Sequence, residues 1–420
     1  MSIKKKTTTA KEDGKPALMP KLRFPEFRKV AGWKESLIGD FLSESRLPGN
    51  KGNVAKKITV KLWGNGVFEK NEAIQGSINT QYFRRKSGQF IYSKLDFLNQ
   101  AFGIIPPSLD NFESTVDLPC FDFADGLNSV FLLEYVKRRG FYERLGETAD
   151  GSRKARRIHA ETFLSFPIVL PTLPEQQKIA ECLSSVDELI VAQGRKVDSL
   201  KTHKKGLMQQ LFPREGETRP RLRFPEFQNA GDWEIRELAD FLTERSQYPE
   251  EKVPLFSLTI EDGVTPKTER YERAFLVNNE VDAYKLVLPN DFAFNPMNLR
   301  FGAIGRHSGS ENVAVSKYYN IFSCDSTVDS RFCEIYFRSD GMVAFYDKMA
   351  IGSLIEKRRV HFAAFLKFII RFPRLPEQQR IADCLTTLDD LIAAQTQNLD
   401  ALKTHKKGLM QQLFPSMEEA

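Results

Sequence analysis

The sequence predicts an α+β protein: two mixed α/β domains joined by two long antiparallel coiled-coil helices, the whole a tandem repeat with pseudo-two-fold symmetry. Three observations carry this. The stretch Leu173 to Pro213 returns at Leu375 to Pro415, 202 positions later, with 29 of 41 residues identical. Each copy places apolar residues at alternating four- and three-residue steps, the period of a coiled-coil seam. Between the copies, short apolar runs alternate with Gly/Pro/Asn clusters, the signature of strands and turns.

Each repeated stretch reads as one helix. Pro174 and Pro376 fall where a first turn tolerates proline, and Glu175 and Glu377 follow at the end that favours negative charge. Pro213 and Pro415 stop the runs. The seam of the first helix is Ile179, Leu183, Val186, Ile190, Val197, Leu200, Leu207 and Leu211; that of the second is Ile381, Leu385, Leu388, Ile392, Leu399, Leu402, Leu409 and Leu413. Gln193 and Lys204, and again Gln395 and Lys406, fill the polar slots. About 38 helical residues make a rod of roughly 57 Å. The first helix leads through a short linker (Arg214–Thr218) into the second half of the chain, so two paired seams would run antiparallel. Gln193 and Gln395 either set the register as buried polar residues or face solvent.

In order, the chain divides into a lysine-rich tail (1–19), a first domain (20–172), the first helix (173–213), a second domain (214–374), the second helix (375–415) and a short end (416–420). The two halves share more than the helices. Pro20-Lys-Leu-Arg-Phe-Pro-Glu-Phe27 with Trp33 and Asp40-Phe-Leu42 returns as Pro220-Arg-Leu-Arg-Phe-Pro-Glu-Phe227 with Trp233 and Asp240-Phe-Leu242. Arg156-Arg157-Ile158-His159 with Phe163 matches Arg358-Arg359-Val360-His361 with Phe365. A period near 200 is too long for a solenoid; this is a duplicated two-part unit. Residues 44–154 and 244–356 diverge and have domain size. Gln89–Ser93 and Tyr318–Phe322 read as strands, Val130–Arg138 and Gly341–Met349 as helices, and Gly103 and Phe121 align near Gly302 and Phe322.

Composition sets limits. Of 420 residues, 41% are hydrophobic, and the 33 phenylalanines read as core material. The net charge is +6, half of it from Lys4, Lys5, Lys6, Lys11 and Lys15 against Glu12 and Asp13, so any nucleic-acid surface is local. The five scattered cysteines form no C-x-x-C pair and fit reduced thiols in a cytoplasm. The polar N-terminus reads as a disordered tail rather than a signal, and no apolar run reaches membrane-spanning length.

Catalytic signatures are weak. No G-x-x-x-x-G-K-[ST] loop is present, and Gly64-Asn-Gly66 lacks the strand–helix setting of a dinucleotide fingerprint and reads as a turn. Asn295-Pro-Met-Asn298 matches in part the Asn-Pro-Pro-aromatic motif of amino-methyltransferases, without its second proline or aromatic. The histidines are not clustered as metal ligands; His203 and His405 sit in lysine-rich last turns, where a cation suits the helix end.

Basic clusters say more. Arg84, Arg85 and Lys86, then Arg153, Lys154, Arg156 and Arg157, then Arg300 with Arg306, and Lys357 with Arg358 and Arg359 lie among turn and aromatic residues. Such side chains contact phosphates, and Arg or Asn reads base edges. Residues present in both halves cannot distinguish two sequences, so Arg156, Arg157, Arg358 and Arg359 are expected to anchor phosphates or form structural ion pairs. Base readers are expected in the divergent parts: Arg84, Arg85, Lys86 and Lys94 in the first, Asn295, Asn298, Arg300, Arg306 and Lys317 in the second.

Leu170-Pro-Thr-Leu-Pro-Glu-Gln-Gln177 with Arg374-Leu-Pro-Glu-Gln-Gln379, the Leu-Met-Gln-Gln-Leu-Phe-Pro endings and the Leu-Arg-Phe-Pro-Glu-Phe openings together resemble the specificity subunit of a type I restriction-modification system. The likeness covers nearly everything after residue 20. It implies two target-recognition domains, each reading half of an asymmetric bipartite site in double-stranded DNA, and helices that act as spacer and docking surface for two modification subunits. Those partners would bind S-adenosylmethionine and methylate adenine at N6; restriction subunits would add ATP- and Mg-dependent translocation and cleavage. The chain itself would hold no cofactor or metal and catalyse nothing. The competing readings are a stand-alone DNA methyltransferase and a coiled-coil protein adaptor.

Overall fold

The computed structural model describes residues 18–71, 76–147, 157–267, 283–354 and 357–416. The chain forms two units, Met1–Gln193 with Asn398–Ala420, and Gly194–Gln397. In the first unit the order is β1 (Lys34–Leu37), β2 (Leu42–Ser45), β3 (Pro48–Lys51), β4 (Ile58–Val60), β5 (Val67–Glu69), β6 (Gln81–Arg84), β7 (Phe90–Tyr92), β8 (Phe102–Ile104), β9 (Glu113–Ser114), β10 (Cys120–Phe123), α1 (Ser129–Val136), α2 (Arg139–Gly146), α3 (Ala160–Leu164) and β11 (Pro167–Leu170). The helix α4 (Leu173–Leu211) follows. The second unit repeats the plan as β12 (Glu234–Glu237), β13 (Leu242–Arg245), β14 (Phe256–Thr259), β15 (Gly263–Pro266), β16 (Tyr284–Val287), β17 (Phe292–Phe294), β18 (Ile304–Arg306), β19 (Val313–Ser316), β20 (Asn320–Cys324), α5 (Ser330–Phe337), α6 (Asp340–Met349), α7 (Phe362–Leu366), β21 (Ile369–Phe372) and α8 (Leu375–Leu413).

Each head is built on a four-stranded antiparallel sheet, β2-β10-β7-β8 in the first and β13-β20-β17-β18 in the second. Its central strands are buried on both faces, and side-chain alternation sorts their residues into two cores. Phe90 and Tyr92 of β7 and Phe121 of β10 face a large aromatic cluster with Phe97, Phe102 and Phe163. Ile91 and Cys120 point the other way, onto Ile58, Val60 and Val67 of the β4–β5 hairpin. The second head does the same with Phe292, Phe294 and Phe322 on one face and Ala293 and Ile321 on the other. The abundant phenylalanine is therefore largely core, and each such ring taken from water contributes about 1.5–3 kcal/mol. Phe121 and Phe322 occupy matching places, opposite Glu44 and Glu244. Gly103 matches Gly305, not Gly302 as the sequence suggested: both sit mid-strand where the hairpin crosses. A Cβ on Gly103 would meet Val67 Cγ2 at 2.4 Å, and one on Gly305 would meet Gly263 Cα at 2.8 Å.

The long helices measure 39 residues each. In the first unit Ile179, Ala180 and Leu183 share the aromatic core with Leu413 and Phe414, while further along α4 Asp187 accepts from Lys406 Nζ at 2.7 Å. Advancing along α4 therefore means retreating along α8, an antiparallel pairing. The second unit has the same arrangement: Ile381, Ala382 and Leu385 lie with Leu211 and Phe212, and Lys204 Nζ donates to Asp389 at 2.5 Å. The seam residues are buried (Ile179, Leu183, Val186, Val197, Ile381, Leu385) or half-buried (Ile190, Leu200, Leu388, Ile392, Leu399, Leu402). Lys406 also lies 3.0 Å from Glu134, as does Lys137. Burial pushes the Glu134 carboxyl up, but the two ammonium groups outweigh it and hold it below the usual carboxylate range.

The motifs shared by both halves form a frame. Arg23 donates Nε and Nη2 to Glu175 at 2.7 and 2.6 Å, both side chains being buried, and its Nη1 donates to Val30 O at 2.8 Å. Trp33 Nε1 donates to the same carboxylate at 3.4 Å. Arg223, Glu377 and Trp233 repeat the arrangement at 2.7, 2.6 and 3.4 Å. The glutamates thus serve less as helix-end charges than as anchors for the opening blocks. The next residue, Gln176, accepts from Asn128 N just ahead of α1 and donates to Pro171 O; Gln378 accepts from Asp329 N ahead of α5 and donates to Pro373 O. The tail expectation for 1–17 lies outside the described residues, whereas Leu18 and Met19 are held: Leu18 O accepts from Trp33 N at 3.1 Å and Met19 Sδ from Arg23.

Candidate nucleic-acid interface

On the frame, the first head presents a second sheet, β3-β6-β9. Arg84 ends β6 opposite Glu113 and is exposed, as is Lys86 in the turn that follows. Arg85, between them, is only 2% exposed. Its Nε donates to Ser114 Oγ at 2.8 Å and its Nη1 to Ser45 O at 2.6 Å, over the ring of Phe83. Burial pushes its pKa below the ordinary value. Arg85 is therefore a strut between two sheets and not a surface reader, which corrects the sequence expectation. Lys94 is corrected likewise: it is buried, its N–H donating to Asp117 O and its carbonyl accepting from Ile158 N. Arg157 is exposed, while Arg153, Lys154 and Arg156 lie outside the described residues.

In the second head, Asn295 to Asn298 form the turn into a 3-10 helix, Leu299–Phe301. Asn295 Oδ1 accepts from Met297 N, and Asn298 is exposed. Arg300 Nε sits 2.8 Å from Asp347 Oδ1 with the Phe301 ring against it. Arg306 donates to Glu334 at 3.0 Å and to Asn290 Oδ1 at 2.7 Å. Arg358 donates to Ala350 O at 3.1 Å and to Asp347 O. These three arginines are committed to internal partners, which corrects Arg300 and Arg306 as readers and gives Arg358 the structural role the sequence had left open. Lys317, Lys357 and Arg359 remain exposed, Lys317 next to Tyr318, which is 78% exposed.

A residue that charge-based reading passed over is Trp63, at the tip of the β4–β5 hairpin. It is 60% exposed and holds φ +59°, an outlier for a bulky side chain. Two bonds fix it there: Trp63 N to Asn99 O at 2.7 Å and Gly64 N to Gln100 O at 2.9 Å. The matching β14–β15 tip carries Ile260, Glu261 and Asp262, and Arg338 donates to the carbonyls of the first two. Equivalent tips thus display opposite chemistries. Gly64-Asn65-Gly66 was legible as a turn; an aromatic side chain immediately before it was the available signal.

Among the described residues, no cluster of three or more His, Cys, Asp and Glu is arranged to hold a metal ion, and no helix is long and apolar enough to cross a membrane.

Two α+β heads on one repeated frame, with divergent exposed tips, define a protein built from two copies of one plan. The family described as "Type I restriction modification DNA specificity domain" matches residues 347–404. The chain is 23% identical over 275 residues to the type I restriction enzyme MjaVIII specificity subunit of Methanocaldococcus jannaschii, covering 61% of this chain and 63% of that protein. It is 25% identical over 304 residues to the putative MjaX specificity subunit of the same organism, covering 68% and 66%. The matches thus span a little under two thirds of each relative's length. The fold is shared with the type I restriction-modification S subunit from M. genitalium, at TM-score 0.55 and 13% identity over 95% of this chain and 100% of that one. It is shared equally with a chain solved for complex assembly and conformational transition of the type I R-M system, at TM-score 0.55 and 14% identity over 92% and 98%. Over these spans the chain is similar to type I restriction-modification specificity subunits, in sequence and in fold.

Proposed function

We propose that this chain is the DNA-reading subunit of a type I restriction-modification complex, each head reading one half of an asymmetric bipartite site. The observation that carries the reading is the contrast between constant frame and divergent tips. The Arg–Glu–Trp anchor and the Gln staple recur in both units, while the exposed contact set differs: Arg84, Lys86 and Trp63 in one head, Asn298, Lys317 and Tyr318 in the other. Cationic groups supply salt-sensitive phosphate attraction; the polar and aromatic groups differ between heads, as two unlike half-sites require.

In this reading the chain performs no bond chemistry. Its long helices dock two modification subunits, which bind S-adenosylmethionine and methylate adenine at N6, and restriction subunits bring ATP- and Mg-dependent translocation and cleavage, in the cytoplasm of a bacterial or archaeal cell. The length of α4 sets the gap between half-sites, about one duplex turn of roughly 34 Å.

The test is a map of N6-methyladenine in a genome modified by this chain with its modification subunit, before and after residues 44–154 are exchanged for another variable region. One half of the methylated motif changes and the other stays. A motif that changes throughout, or not at all, overturns the assignment of one head to one half-site.

A further inference from the structure

The two units differ where the end of a long helix enters each head. In the first, Arg138 stands just ahead of α2. Its guanidinium lies 4.1 Å from the ring centre of Tyr135 and 4.7 Å from that of Phe414, and Nη1 donates to Pro415 O at 3.0 Å. The side chain plugs the space between α1, α2 and the helix end.

In the second unit the same ring pair is Tyr336 and Phe212, with centres 5.3 Å apart. The position of Arg138 is taken by Ser339, whose hydroxyl turns inward to accept from Met342 N. No plug is possible from a side chain that short, and a cavity of about 880 Å³ opens there. Two further replacements change its charge. The position of Glu134, the carboxylate beside Lys406, holds Ile335 in the second unit, and that of Val169 holds Arg371. Six basic residues line the cavity against three acidic ones, over a floor that includes Met208, Phe212 and Tyr336. Two of the six bases are already paired, Lys204 with Asp389 and Lys348 with Glu215.

We infer that this cavity is a docking site for a segment of a partner protein that carries an apolar anchor flanked by carboxylates. The floor buries the anchor, and Lys201, Lys205 and Arg371 meet the carboxylates. A depth lined by aromatic and aliphatic side chains suits a protein segment, whereas a phosphate backbone would leave that floor bare. The inference narrows the partner-docking part of the proposed function to one place and rests on that reading for the existence of a protein partner. It makes the two units unequal hosts, since Arg138 closes the matching space in the first.

The test uses the full chain and a fluorescent synthetic peptide with one phenylalanine and one leucine set among glutamates, read by anisotropy. The wild-type chain binds it saturably. Ser339→Arg, which installs the plug the first unit already carries, weakens binding about tenfold or more, and Arg371→Val weakens it about threefold or more. Affinity for duplex DNA, measured separately, stays unchanged in both variants, so failure of the DNA reading and failure of this one are told apart. Lack of saturable binding, or equal binding by Ser339→Arg, overturns the inference; so does displacement of the peptide by duplex DNA with a matching loss of DNA affinity in the variants. Should Ser339→Arg fail to fold, Arg371→Val decides alone.

Discussion

Replacing Glu175 by alanine removes one half of a buried ion pair and leaves the other half in place. Arg23 and Glu175 have side chains 5% and 1% accessible, and two bonds of 2.7 and 2.6 Å join them. With the carboxylate gone, the guanidinium keeps only neutral acceptors, Val30 O, Ala31 O and Met19 Sδ, which do not cancel its charge. Orphaning a buried charge costs about 3–5 kcal/mol. For a unit of this size each kcal/mol moves the midpoint by roughly 2–4 °C, so the expected drop is on the order of 10 °C. Calorimetry of the whole chain reads it. Glu377→Ala gives a drop of similar size, because Arg223 is held in the same way. The double variant Arg23→Met with Glu175→Leu recovers most of the loss, since no unpaired charge remains. A loss under about 1 kcal/mol for Glu175→Ala would place the pair with solvated surface pairs and refute the anchor argument.

Three further outcomes follow from the same geometry. Trp63→Gly relieves a left-handed backbone and, being exposed, removes little core; it stabilises the chain by up to about 1 kcal/mol while lowering duplex affinity about fivefold, and unchanged affinity would remove Trp63 from the interface. Arg84→Ala reduces the salt dependence of duplex binding by about one phosphate contact without loss of stability, whereas Arg85→Ala leaves buried acceptors unpaired and costs about 2–3 kcal/mol; paired salt titrations and melts of both variants check this. Glu134 sits below its ordinary value of 4.5 in the folded state, so its stabilisation is complete above that pH and is lost as pH falls through the lower folded value. Glu134→Gln therefore flattens the acid limb of the stability curve below about pH 4.5, and an unchanged limb would deny the carboxylate its role between Lys137 and Lys406.

The long helices and the repeated frame were legible because period and identity are local properties. The partners of the frame were not: Arg23 and Glu175 are 152 residues apart, and nothing in either neighbourhood names the other. Basic clusters misled for a simpler reason. Arg84, Arg85 and Lys86 are adjacent in sequence, but an extended chain turns successive side chains to opposite faces, so the middle one went inward. Arg300 read as a base reader, and Arg358 stayed open between phosphate anchor and structural ion pair, because their shared neighbour Asp347 shows only once the fold closes. Trp63 escaped a search organised around charge, although the Gly64-Asn65-Gly66 turn that follows it marked a backbone that an exposed bulky residue rarely adopts.

The first unit is discontinuous: it takes Phe414 from the far end of the chain into contact with Trp33 and Phe131, at 6.1 and 5.3 Å between ring centres. The second is one uninterrupted span. On a ribosome, then, the head whose synthesis starts earlier is completed later, because Phe414 emerges only after the whole of the second unit. Truncation after residue 410 would spare the younger head and strip the older one of its closing aromatic ring.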